Sequence, residues 1–164
     1  MIKDSGSRRE FSSGAVRDMG GEDKGRCDLL PLDAACELYP DDLFFANMHQ
    51  WQHTHEVKYL AYAFAYLATR YSIYNDSSVV VADYLLEVAR HMRRGAEKYG
   101  PRNWEKGIPV ESYEDSAVRH YLKYLRRDSD EPHLVAAGWN VLCGLATVLR
   151  GIDPTISEKG TTET

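Results

Sequence analysis

The sequence predicts an all-α domain, a helical bundle of about five helices with an irregular N-terminal segment and a helical insertion. Three observations carry that expectation. Apolar residues recur at three- and four-residue spacing, as in Val81, Leu85, Val88 and Met92. The stretches between such runs hold stop and cap residues: Asn75-Asp76, Tyr99-Gly100-Pro101, Asp128-Ser129-Asp130 and Arg150-Gly151. Strand signals are nearly absent, and no internal repeat is visible.

Taken in order, residues 1–26 read as an irregular arm, because Ser5-Gly6-Ser7, Ser12-Ser13-Gly14 and Gly20-Gly21 break any period. A short helix follows from Pro31 to Leu38, stopped before Pro40. Residues 41–55 are aromatic and histidine-rich without a clear period, and Glu56 to Ile73 reads as a helix rich in alanine and aromatics. Another helix is expected from Ser78 to Lys98. A further one should start at Ser112, where Asp115 completes a capping-box pattern, and run to Arg127. The last is opened by Pro132 and ends at Arg150-Gly151, and residues 152–164 read as a disordered polar tail. The expected domain is therefore 27–151, with 40–80 as an insertion into it.

At 164 residues, 43% hydrophobic and 27% charged, the chain is sized and composed for one globular domain. Its longest apolar run, Tyr59 to Thr69 between Lys58 and Arg70, is too short to span a bilayer, so no membrane partner is expected. The first six residues have no apolar stretch behind their charges, so no secretory signal is expected. Cys27, Cys36 and Cys143 form no CxxC and fit a reducing compartment, which makes the expected location cytoplasmic (host cytoplasm for a viral protein). The formal net charge of -5 is unevenly distributed: from Arg90 to Arg127 ten Lys/Arg face five Asp/Glu. Such a split suits one compact polyanion better than a nucleic acid, and no stable nucleic-acid binding is expected.

Four clusters can carry chemistry. Lys24 and Arg26 flank a glycine just before a helix start, where they can hold phosphate oxygens or serve as a charged linker. In the run from Gly95 to Gly107, Lys98 and Arg102 supply charge, Asn103 can read a base edge and Trp104 can stack on one; a turn plugged by Trp104 is the alternative. Asp115 and Arg119 share a helix face, and His120 lies about 140° from Asp115, so one ion touching both would need them at the edges of a cleft. The alternative there is a cap, an intrahelical ion pair and an ordinary histidine. Finally, Asp130, Glu131 and His133 precede Asn140, an amide inside an apolar stretch that needs buried partners. His49, His53, His55 and Glu56 resemble a metal cluster but lack HExxH or CxxC spacing, and Glu87 with His91 is a second i, i+4 candidate. No GxSxG, P-loop or GxGxxG occurs, and no cysteine has a nucleophile signature, which leaves metal-assisted hydrolysis as the natural enzymatic option.

Five segments in order carry a resemblance: Phe11 to Asp18, Lys24 to Pro31, Gly95 to Tyr99 with Arg102 to Gly107, Asp115 to His120, and His133 to Asn140. Together they resemble the phage dATP/dGTP diphosphohydrolase N-terminal-type domain, associated with MazG-like all-α nucleotide pyrophosphohydrolases, including the MazZ proteins of phages that replace adenine by 2-aminoadenine. The MazG-type ExxE and ExxD pair is not plainly present, and His133 to Asn140 stands where ExxD is expected. The resemblance implies cleavage of dGTP or dATP to the monophosphate and pyrophosphate with two to three Mg²⁺ or Mn²⁺ ions, in phage nucleotide metabolism that either feeds 2-aminoadenine DNA synthesis or clears the nucleotide pool. It implies Asp115, Arg119 and His120 as catalytic residues and Asp115, Asp130, Glu131 and His133 as metal ligands. Lys24, Arg26, Lys98 and Arg119 would hold phosphates, and Asn103, Trp104 and Asn140 the base and sugar. The other reading is a non-catalytic helical module that binds a nucleotide or recruits a partner. The aromatic helix around Tyr59, Tyr62, Phe64 and Tyr66 leaves too much apolar surface for one monomer, so a homo-oligomer is expected.

Overall fold

The computed structural model describes residues 8–18, 26–75 and 80–155. Two three-residue strands, β1 (Arg8–Glu10) and β2 (Val16–Asp18), pair antiparallel around Ser12-Ser13-Gly14. After a 3-10 turn at Cys27–Leu29 come six α-helices: α1 (Leu32–Leu38), α2 (Leu43–Thr54), α3 (Lys58–Asn75), α4 (Val80–Tyr99), α5 (Val110–Leu125) and α6 (His133–Leu149). A second 3-10 turn at Asn103–Lys106 joins α4 to α5. The all-α expectation holds for the bundle, with six helices in place of five and a hairpin in place of an irregular arm.

The additional helix is α2. Asp42 caps it, accepting the Phe44 N–H at 3.0 Å, and His55 ends it in the left-handed region at φ 52°. Its Phe44, Phe45, Met48 and Trp51 are buried beside Leu60, Ala63, Phe64 and Leu67 of α3. They share one core with Tyr84 and Val88 of α4, Ala117, Val118 and Tyr121 of α5, and Leu134, Ala137 and Val141 of α6. Residues 40–75 are thus part of the bundle's core, where the sequence suggested an insertion.

Two close approaches fix the site's frame. Helix α4 reaches α6 at Gly138, where a Cβ would fall inside the Tyr84 ring; Tyr84 Oη donates to the Leu134 carbonyl at 2.6 Å. The connection into α5 turns through Gly107, at φ 91°, where a Cβ would lie 2.7 Å from the Ile152 carbonyl. Ser13 Oγ donates to the Gly107 carbonyl at 2.6 Å, tying the hairpin to this loop. A second small core of Phe11, Ala15, Ile108, Tyr113 and Cys143 seats the hairpin on α5 and α6.

Helix α5 starts at Val110 rather than Ser112, and the Ser112–Asp115 capping box does not form. The Val110 N–H is instead taken by Asp153, from beyond α6, at 3.1 Å. Asp153 is buried, so the segment after α6 begins as structure, not as a free tail. Residues 1–7, 19–25 and 156–164 lie outside the described residues.

Candidate metal centre and basic cleft

Helices α5 and α6 are joined by a short turn and run antiparallel, since Tyr113 meets Gly144 while His120 meets His133. At the turn, His120 comes from the last part of α5, Glu131 from the turn and His133 from the first position of α6. His120 Nδ1 and His133 Nδ1 lie 3.1 Å apart, and Glu131 Oε1 lies 3.3 Å from the first and 3.5 Å from the second. Metal–ligand bonds of about 2.1 Å put ligand atoms about 3.0 Å apart at a right angle and about 3.4 Å apart at the tetrahedral angle. The three donors therefore span a triangle of the size that one ion fills. His133 Nε2 lies 2.8 Å from Asp130 Oδ1, and this contact holds the Asp130 carboxyl below the usual carboxylate range. A carboxylate behind a ligating imidazole fixes the ring and its tautomer.

Asp128, Asp130 and His133 form a second grouping compact enough for an ion. It uses the opposite side of the same His133 ring. Two imidazoles and one carboxylate suit a transition ion such as Mn²⁺, whereas Mg²⁺ prefers oxygen ligands throughout. Burial, then the neighbouring His133 and His91 rings, pushes the His120 imidazole well below its ordinary value. Burial beside Arg94 likewise lowers His91 to about 4. These rings are neutral at neutral pH, and a neutral imidazole is the form that ligates a metal.

Asp115 is not part of this centre. Its Oδ1 accepts the Cys27 N–H at 2.6 Å, and its Oδ2 pairs with Arg119 one turn on. The helix geometry that put Asp115 and His120 on different flanks decides this: one faces the 3-10 turn at Cys27–Leu29 and the other faces α6. The expected metal set is thus divided, with Asp130, Glu131 and His133 at the turn and Asp115 with the basic groups.

Of the expected phosphate holders, the three among the described residues each have an acid partner. Arg26 is exposed and pairs with Asp28, Lys98 donates to Asp18 at 2.7 Å, and Arg119 pairs with Asp115. Lys24 lies outside the described residues. The expected base contacts are also engaged. Asn103 forms a two-way amide pair with the Val16 backbone, accepting its N–H at 3.0 Å and donating to its carbonyl at 2.7 Å. Trp104 is half-buried under the Arg150 guanidinium, 4.8 Å from its ring centre. Buried Asn140 donates to the Ala136 carbonyl at 2.9 Å and accepts from Arg17.

The other metal candidates are not assembled. Glu87 pairs with Arg90 while His91 packs on Trp139, and His49 and His53 stack on each other. Glu111-Ser112-Tyr113-Glu114 does have ExxE spacing, but Glu111 is exposed while Glu114 is buried and accepts from Trp51 Nε1, so the two do not share an ion.

Two residues of the site were not singled out by sequence. Asp128 looked like part of a helix break, and Arg17 stood only within a resembling segment. The available signal for Asp128 was the acidic run that ends just before His133. For Arg17 it was a lone cation between Val16 and Asp18 behind a Ser-Ser-Gly turn.

The helical frame carries two His/Glu/Asp groupings that could hold a metal, which, with the family match below, supports a metal-dependent function of nucleotide-hydrolase type. A family model described as dATP/dGTP diphosphohydrolase, N-terminal, matches residues 74–155, half of the chain, and the protein belongs to that family. The matched stretch holds α4, α5, α6 and the whole candidate metal centre. No match to a curated protein or to a solved structure was found. Among the described residues no helix is long and apolar enough to cross a membrane.

Proposed function

We propose that this protein cleaves purine deoxynucleoside triphosphates, dGTP or dATP, between the α and β phosphates, releasing the monophosphate and pyrophosphate. The observation that carries this reading is the convergence of His120, Glu131 and His133 within the segment that matches the diphosphohydrolase family. A bound Mn²⁺ or Mg²⁺ would neutralise phosphate charge and make water a better nucleophile at neutral pH. The chain's own groups supply the rest. His120, Glu131 and His133 would hold the ion, and Asp130 keeps the His133 ring in place. Arg119, buried beside Asp115, would face the phosphates as a guanidinium that lies one residue from His120. Of the two ions named, the two-imidazole set favours Mn²⁺.

The product would enter deoxynucleotide pools, and a phage setting in which the monophosphate feeds 2-aminoadenine DNA synthesis fits the family. A homo-oligomer fits the exposed Tyr62, Ile73, Val81, Leu85 and Leu86 on α3 and α4. The test is incubation with each common nucleotide and Mn²⁺, with products resolved by chromatography. Pyrophosphate and dGMP or dAMP are expected, with complete loss in EDTA and recovery on adding Mn²⁺. No turnover of any nucleotide at any metal concentration, with nucleotide still raising the melting temperature, would instead make this a binding module.

A further inference from the structure

Arg26, Lys98 and Arg119 each have a carboxylate beside them, whereas the hydrogen-bond partner of Arg17 is the neutral Asn140. Its Nη2 donates to the neutral Asn140 Oδ1, its guanidinium lies 5.0 Å from the Tyr113 ring centre and 5.9 Å from that of Trp139, and its Nη1 is covered without a hydrogen-bond partner among the described residues. No carboxylate of the described residues pairs with it at ion-pair distance. Burial disfavours its charge, and Asp115 and Arg119 are both near enough to act on it electrostatically, with opposite signs. The Oδ2 of Asp115 is already paired with Arg119.

A buried charge without a counter-ion is costly, and structures that keep one supply its partner from elsewhere. The aromatic faces and Asn140 hold the guanidinium in a fixed orientation, which is how a recognition arginine is prepared in advance of its ligand. The chain's fold places this group deliberately: β2 is anchored to the 3-10 turn by the Asn103–Val16 amide pair, and Phe11 and Ala15 seat the hairpin in the small core. Arg17 follows Val16 directly and is half-buried. A guanidinium matches phosphate, as it does carboxylate, with two parallel hydrogen bonds, and the nucleotide reading above makes phosphate the anion at hand.

We infer that Arg17 is a substrate-binding arginine, taking a polyphosphate oxygen where the hairpin meets Tyr113 of α5 and Trp139 and Asn140 of α6, and that the hairpin is consequently part of the site. The inference rests on the nucleotide reading above and names a contact within the same site. It also explains why the hairpin is tied so closely to the 103–107 loop: that attachment sets the reach of Arg17.

The test uses the full chain, inorganic pyrophosphate as the probe without added metal, and dGTP with Mn²⁺ for kinetics. Arg17→Met keeps the apolar stem and removes the charge. Its expected result is pyrophosphate binding weakened at least about tenfold by calorimetry. KM for dGTP should rise, and the melting temperature of the ligand-free protein should stay or rise. Arg17→Lys should recover part of the binding. Unchanged pyrophosphate affinity and unchanged KM in a folded Arg17→Met protein would overturn the inference. If that variant does not fold, arginine side-chain nitrogen resonances of the wild-type protein decide: Arg17 shifts on pyrophosphate addition are expected, and none would overturn it. Binding through Arg17 without hydrolysis of any nucleotide would refute the catalytic reading and leave this contact standing; hydrolysis indifferent to Arg17 would do the reverse.

Discussion

At the turn between α5 and α6, two imidazoles and a carboxylate lie within 3.5 Å of one another; under the hairpin, Arg17 is held by Asn140 and two aromatic rings while Arg119 pairs with Asp115. In the first region Lys123 stands 3.8 Å from Asp130 and Arg126 pairs with Asp128, while Glu131 lies against the two imidazoles; in the second, Asp115 pairs with Arg119 and Arg17 has the neutral Asn140 as its partner. His133 and Arg119 are buried while His120, Glu131, Asp115 and Arg17 are half-buried, so water screens either region only in part. On the function proposed above, a metal–nucleotide complex would bring a cation to the turn and phosphate to Arg17. The difference between the two regions teaches that metal-type ligands gather where α5 meets the start of α6, whereas the guanidiniums gather nearer the hairpin.

The comparison can be broken at either end. The largest effect is expected from His133→Ala, which removes a ring that faces both metal groupings: nucleotide turnover with Mn²⁺ should fall by at least about a hundredfold while circular dichroism still shows the helical bundle. Asp130→Asn leaves the His120, Glu131 and His133 donors of the first grouping and disturbs the group that orients His133, so Mn²⁺ affinity measured by calorimetry should drop about ten- to hundredfold.

A third effect is thermodynamic. Between pH 6.5 and about 4 the unfolded chain holds a proton on His91 that the folded chain resists, so stability is present above that window and is lost as pH falls through it. The shift corresponds to about 3 kcal/mol, and His120, also held low, adds in the same direction. Urea denaturation at pH 7 and pH 4.5 reads this, and His91→Asn should give a shallower pH dependence. The smallest effect sharpens the comparison from the cationic side. Asp115→Asn removes the ion pair with Arg119 but can still accept from Cys27, so stability should fall by about 1–3 kcal/mol with Mn²⁺ affinity unchanged. A large loss of Mn²⁺ affinity in that variant would merge the two regions into one metal site.

How much of this was legible depended on which residues mark each element. Helices α3 to α6 carry apolar periods and end at Asn75, Tyr99-Gly100 and Arg150-Gly151, so their bounds could be read to within about two residues. Helix α2 was hidden because Phe44, Phe45, Met48 and Trp51 are interspersed with histidines and glutamines, although Asp42 was a usable start signal. The hairpin was hidden because its strands are three residues long and mostly charged, with Phe11 and Ala15 the only buried apolar anchors between them. Burial there comes from tertiary contact with Ile108, Tyr113 and Cys143, far along the chain, and no local pattern encodes it.

The site was legible in its residue types and less so in its groupings. Asp130, Glu131 and His133 are adjacent in sequence and remain together in space. Asp115 looked like a fourth ligand because it shares a helix with His120, and the five-residue spacing turned it toward Cys27 instead. Asn103 looked like a base reader because free amides read bases; here the amide completes a strand backbone. Which partner a polar group takes is decided by non-local packing, and sequence spacing cannot supply that.

Mn²⁺ titrated into the wild-type protein and into His133→Ala, followed by pulsed electron paramagnetic resonance, tests the central claim most directly. The account expects stoichiometric Mn²⁺ with nitrogen couplings from two imidazoles in the wild type and from no more than one in the variant. Mn²⁺ held without nitrogen coupling, or no Mn²⁺ held at all, would contradict it.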